Sequence, residues 1–241
     1  MKLRTSSPAY VVGFSAAAAA VFTAAIMSLQ AATEPLVRRN EALQRQRALV
    51  EAFALAGGRQ LDDGQTVELY ERSIRPLDAP LIDPQTGTTF NDPRAGPRGP
   101  RTFRAVGADG APLGYAFPVW GIGFWARIDG YLAVRPGLDR IVGIVFTGHS
   151  ETPGLGGRIT EPQWRGRFAG LNIAPRGGGE RPMLYIGGRR PSGRGDARSG
   201  RYVDAITGAT GTSRAVERFL NERIRQFGRA ADAAGIDKTG K

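Results

Sequence analysis

The chain has 241 residues, 41% of them hydrophobic, which is enough to bury one well-sized core with segments left over. It has no cysteine and a single histidine, His149, so disulfides, thiolate metal sites and cysteine nucleophiles are excluded, and a histidine-based zinc site is not expected. The formal charge is +11, and of the 33 basic residues only Lys2, Lys238 and Lys241 are lysine. Such a field suits anionic lipid headgroups or an acidic partner. The arginines are spread along the chain instead of alternating with aromatics in one run, so no nucleic-acid partner is expected.

Residues 1–9 carry Lys2 and Arg4 and precede Tyr10 to Leu29, a run of uncharged residues rich in Ala, Val, Phe and Ile. About 20 apolar residues cross a bilayer core of ~30 Å, so 10–29 is expected to be a transmembrane helix; Lys2 and Arg4 favour residues 1–9 on the cytoplasmic side, while Arg38, Arg39, Arg45 and Arg47 beyond the run weaken that bias. A cleaved leader has a shorter apolar core, although Ala31-Ala32 would suit a cleavage point. Residues 34–56 form an expected helical stalk, with Pro35 in its first turn, Leu36, Leu43, Val50 and Phe53 as an apolar stripe, and Gly57-Gly58 ending it.

The region 57–116 is expected to be irregular and only partly stranded, because prolines crowd its second half. Asp62-Asp63 reads as a pair of turn carboxylates in preference to a metal site, while Asp83-Pro84-Gln85-Thr86-Gly87 and Asn91-Asp92-Pro93 read as turns. Strands are expected at Thr102–Val106 and Leu113–Val119, joined by a hairpin at Asp109-Gly110. Further strands follow at Tyr131–Val134 and Ile141–Phe146, the last apolar enough to be buried on both faces. Between them, Gly121-Ile122-Gly123-Phe124-Trp125 lacks the third glycine and the following helix of a dinucleotide fingerprint. The fold class is therefore α+β, a mostly antiparallel sheet with flanking helices.

Two stretches carry chemistry. In His149-Ser150-Glu151-Thr152-Pro153-Gly154-Leu155-Gly156-Gly157, a proline and three glycines make a rigid loop that a flat ligand can approach, with Glu151 and Thr152 offering hydrogen bonds and Leu155 an apolar surface. His149 is expected to orient this loop. The run from Val203 to Ser213 reads as strand and tight turn, leading into a helix whose face is Val216, Phe219, Leu220, Ile224 and Phe227. Thr210, Thr212 and Ser213 are candidate caps, and a helix start of this kind attracts a phosphate. On local rules alone, an ordinary turn is the better explanation of each stretch.

The spelling of the two runs decides between these readings. Asp204-x-x-Thr207-Gly208-Ala209-Thr210 resembles the flavinylation motif of the FMN-binding domain family, and Glu151-Thr152-Pro153-Gly154-Leu155-Gly156 resembles a second signature of the same family. The resemblance spans 117–228, leaving 229–241 as a polar tail. It implies covalent FMN, joined by a flavin transferase through a phosphoester to Thr210. Asp204, Thr207, Gly208 and Ala209 would surround the attachment point, and Glu151, Thr152, Gly154 and Leu155 the ring. The resemblance implies no catalytic acid or base and no metal.

Within the family, the anchor with its charged helix, the Gly121–Trp125 segment and Pro162-Gln163-Trp164 resemble the C subunits of sodium-translocating NADH:quinone reductases. The G subunits of Rnf complexes share both flavin motifs. A bulkier residue is expected where Gly211 stands, and the tract 176–199 reads as an insert. The implied role is electron transfer in a membrane redox complex, with the other subunits, the flavin transferase and membrane lipid as partners. The chain would cross the inner membrane once, with its main domain outside the cytoplasm. The alternatives are an Rnf-type or other anchored flavin carrier, and a membrane-tethered binding module without flavin.

Overall fold

The structure is a computed structural model that describes residues 7–77, 81–90, 102–174, 183–193, 196 and 198–236. The Asn91-Asp92-Pro93 turn, part of the tract expected as an insert, and the first and last few residues lie outside that set. Residues 1–44 and 45–241 form two units.

In the first unit, the expected anchor and stalk belong to one helix, α1 (Pro8–Ala52), so Pro35 falls in its interior instead of opening a new one. Ala31, Ala32 and Thr33 give the backbone no reason to stop there. The helix is long and apolar enough, by length and composition, to cross a membrane. Val12, Phe14, Val21, Phe22, Ile26 and Met27 are exposed along it.

The second unit begins with the last turns of α1, where Ala48, Leu49, Val50 and Ala52 are buried. Gly57 and Gly58, both in the left-handed region, end this segment as expected. A second helix, α2 (Asp63–Ser73), lies within the stretch expected to be irregular. Asp62 is its N-cap: the carboxylate accepts from the Gln65 N–H at 2.8 Å, and the Gln65 side chain accepts from the Asp62 N–H at 3.2 Å. This reciprocal capping box explains the acidic pair.

Five strands follow: β1 (Ile74–Pro76), β2 (Phe103–Val106), β3 (Pro112–Ile122), β4 (Arg127–Val134) and β5 (Ile141–Gly148). They form an antiparallel meander in chain order. The chain then passes through a 3₁₀ turn at Gly156–Thr160 and a one-turn helix, α3 (Pro162–Arg165). A short parallel pair, β6 (Tyr185–Gly187) with β7 (Tyr202–Asp204), leads into the long helix α4 (Thr210–Ala233).

Alternation along the strands sorts side chains to two cores. On one face, Phe117, Leu132, Ile144 and Phe146 pack with Val216, Phe219, Leu220 and Phe227 of α4. The rings of Phe117 and Phe227 stack at 3.8 Å, and Phe90 meets both edge-on at 5.7 and 5.5 Å. On the other face, Ala116, Ala133 and Val145 lie against Ala48, Leu49 and Phe53. Thus β5 is buried on both sides, as its composition predicts.

The α4 helix extends beyond Phe227, so residues 229–233 are not a tail. Ala230 and Ala231 are fully buried, and Arg229 forms a two-pronged ion pair with the buried Asp83 at 2.8 and 2.7 Å. Asp83 in turn caps its own loop, accepting from the Gln85 N–H and the Thr86 hydroxyl.

Candidate functional site

The turn before α4 is built by backbone and by one buried hydroxyl. The Ala209 N–H donates to the Ile206 carbonyl at 3.0 Å, with Gly208 at φ +80° in the third position, where this kind of turn requires a left-handed residue. Ser213 locks the turn, its Oγ accepting from the Ile206 N–H at 3.0 Å and donating to the Ala209 carbonyl at 2.9 Å.

The helix therefore starts at Thr210 with Ala209 as N-cap, and no side chain caps it. None of the expected caps serves: Thr212 and Ser213 are turned inward, and Thr210 is exposed. The first-turn N–H groups and the positive end of the helix dipole are left open beside the Thr210 hydroxyl.

The loop after β5 comes to the same place. Thr152, Leu155 and Gly156, with Glu151 behind them, face Gly208, Ala209, Thr210, Gly211 and Thr212 across a concavity of about 190 Å³, and Phe124 and Trp125 close its third side. Full ligand pockets measure ~300–1,000 Å³, so this is a shelf with room for only part of a ligand. Its rim is apolar and exposed: Phe124, Trp125 and Leu155 are 62%, 68% and 44% accessible. The aromatic pair meets edge to face at 5.3 Å.

Of the nine residues expected at the site, six line this shelf: Glu151, Thr152, Leu155, Gly208, Ala209 and Thr210. Gly154 supplies a left-handed turn in the loop and has nothing within 4 Å of where a side chain would begin. Asp204 and Thr207 line a separate cleft of about 310 Å³ behind the turn. There the Asp204 carboxylate meets Arg190 at 2.7 Å and Arg167 at 2.9 Å, and its carbonyl accepts from the Trp164 indole at 2.9 Å. Hydrogen bonding from Arg190, with the charge of Arg167 nearby, holds this carboxyl below the usual carboxylate range.

Glu151 forms its hydrogen bonds within the protein. It is 4% exposed, and both its oxygens are engaged by protein donors: Oε1 by the Phe124 and Trp125 N–H groups at 2.9 and 3.1 Å, Oε2 by the Thr212 hydroxyl at 2.6 Å. His149 orients the loop as expected, its Nδ1 accepting from the Glu151 N–H at 3.2 Å.

Sequence reasoning missed Phe124 and Trp125 as shelf residues, although it singled out their segment. Two adjacent aromatics at a hairpin tip were the available signal. Gly211 is explained by the same tip: a Cβ there would lie 2.5 Å from the Phe124 ring, which fills the space a bulkier residue would take.

An exposed threonine at an open helix start, facing a glycine-lined apolar shelf, suits a ligand with a phosphate and a flat aromatic part. Residues 123–225 of the chain match the family profile described as FMN-binding domain. Its relatives include the C subunit of the Na(+)-translocating NADH-quinone reductase of Pseudomonas aeruginosa, 31% identical over 137 residues, which are 57% of this chain and 51% of the relative. The same-named subunits of Yersinia pestis and of Neisseria meningitidis serogroup A are 34% and 36% identical over 43% and 48% of this chain, and 37% and 42% of the relative. The chain thus spans about half or less of these curated relatives. Among solved structures, NqrC of Shewanella oneidensis superposes with a TM-score of 0.60 at 25% identity, covering 78% of this chain and 96% of that one. The same-named protein of Parabacteroides distasonis, at 22% identity and a TM-score of 0.59, shares the fold.

Proposed function

We propose that this chain is the flavin-carrying C subunit of a sodium-translocating NADH:quinone reductase, anchored by α1 and holding FMN through a phosphoester on Thr210. The observation that carries the attachment is the sorting of hydroxyls. Thr210 is exposed at the open helix start, whereas Thr212 is bonded to Glu151 and Ser213 to the turn. Thr207 is exposed too, but it lines the cleft behind the turn and not the shelf.

When bound, the flavin would supply the electron chemistry, and the chain has no cysteine for thiol–disulfide redox. The chain supplies position. The Thr210 hydroxyl would carry the phosphate, first-turn N–H groups would meet its charge, and Phe124, Trp125, Thr152 and Leu155 would bound the ring. No acid or base on the protein is required. Names of relatives favour this complex over an Rnf-type one, and the length and composition of α1 support a single-pass anchor in the inner membrane. The domain from Arg45 onward would lie outside the cytoplasm, working with the other subunits after a flavin transferase has loaded it.

Intact mass and in-gel flavin fluorescence of the full chain, produced with a flavin transferase, test this reading. The expected result is a gain of one FMN less one water on the peptide holding Thr210, lost in Thr210→Ala and kept in Thr212→Ala. Loss in Thr212→Ala alone would move the attachment, and an unmodified, colourless wild type would leave a tethered binding module.

A further inference from the structure

Glu151 is a buried carboxylate. Among the described residues, no Arg, Lys or His side chain forms an ion pair with it. Its charge is met by three dipoles instead: two backbone N–H groups from the β3–β4 tip and one hydroxyl from the first turn of α4. Its two oxygens accept all three hydrogen bonds.

The niche is also cut to size. A Cβ at Gly123 would lie 2.4 Å from Oε1, and one at Gly156 would lie 2.6 Å from Oε2 and 2.6 Å from the Thr212 hydroxyl. A side chain at either position would collide with the carboxylate. The three segments it joins are far apart in sequence, separated by 27 and 61 residues, and they are the three walls of the shelf.

We infer that Glu151 is a positioning residue with two effects. It pins the Gly123–Trp125 tip over the start of α4, so that the aromatic wall faces Thr210. It also fixes a full negative charge at the wall of the shelf, so that a group held there is harder to reduce. Charge-assisted hydrogen bonds supply the first effect. For the second, electrons arriving on a ring beside a fixed carboxylate meet repulsion that the low-polarity wall screens poorly. The second effect rests on the flavin reading above; the first does not.

The two parts separate experimentally in the full chain. Amide hydrogen exchange of the protein without flavin reads the pinning. In Glu151→Ala, the Phe124 and Trp125 amides are expected to exchange about tenfold faster or more, while the middle of β3 and β4 is unchanged. In Glu151→Gln, whose carbonyl still accepts, they stay protected. Should Glu151→Ala not fold, Glu151→Asp, one methylene too short to reach all three donors, shows the same loss. Unchanged exchange in the shortened or truncated variants would overturn the pinning.

Potentiometric titration of the flavin-loaded protein reads the charge. Glu151→Gln is expected to shift the midpoint potential upward relative to wild type, and an unchanged or lower potential would overturn that half. If wild type takes no flavin, the proposed function fails and the charge effect with it, while the exchange result still decides the pinning.

Discussion

Thr212 and Glu217 show how much the position of a single polar group decides here. Thr212 donates to Glu151 inside the protein, so Thr212→Val leaves a buried carboxylate oxygen without its donor. That loss is expected to cost about 1–3 kcal/mol, read as a fall in the denaturation midpoint, and Thr212→Ser should restore most of it. Glu217 is half-buried on α4 and accepts from the Ile186 N–H at 2.6 Å. Burial raises its carboxyl above the usual range, the hydrogen bond from Ile186 opposing the shift. A raised folded-state value means that the contribution of this group is fully present below its unfolded value and is lost as pH rises through the folded one. Glu217→Gln keeps an acceptor for Ile186 and removes the charge. Thermal melts should show its stability rising relative to wild type as pH increases from about 4 upward.

The motif residues were legible at this scale because each run is short and local. The true partners of Glu151 were not legible, since nothing in a nine-residue loop announces donors 27 and 61 positions away. Asp204 was legible as a motif acid, but its clamp to Arg167 and Arg190 reaches across 37 and 14 residues and was not.

Among the elements, α4 does the most. Its apolar face closes one core, and its polar residues stitch the neighbouring segment in place. Asn221 accepts from the Met183 and Leu184 N–H groups and donates to the Leu184 carbonyl, as a strand edge would. Its far end is tied to the 81–90 loop by Arg229 and Asp83. Hydrogen bonding from Arg229 holds the Asp83 carboxyl far below its ordinary value. The pair's contribution is then complete above the unfolded carboxyl value of about 3.9 and fades as pH falls below it. Arg229→Met strands a buried carboxylate, and a loss of about 3 kcal/mol is expected at neutral pH. Urea titrations should show the gap to wild type narrowing once pH drops under about 4.

The strands and α4 could be read from alternation and helical spacing because each element buries one coherent face. The α2 helix could not be read that way, since among its buried positions only Thr66 is fully covered. Its signal was the cap, Asp62 followed by Gln65, which the neighbouring glycines disguised as a turn.

At the scale of the whole molecule, a meander built from neighbouring strands is fastened by a few contacts of very long reach. Strand pairs β1 to β5 form in chain order. By contrast, the bonds that bring α4 home span 61 residues at Thr212–Glu151 and 146 at Arg229–Asp83. Contacts of such separation offset their loop-closure entropy only once much of the chain is already in place. Phe227→Ala, which empties the stack against Phe117, should cost about 3–5 kcal/mol and loosen that docking. If flavin is added to the folded shelf, the fraction of chains carrying it should fall in step with the fraction folded, measured by fluorescence against near-ultraviolet circular dichroism. On the proposed function, Thr210 and the walls that face it come together only where α4 is docked against the sheet. Loading would then be in effect a quality inspection, passed only by chains whose final helix is in place.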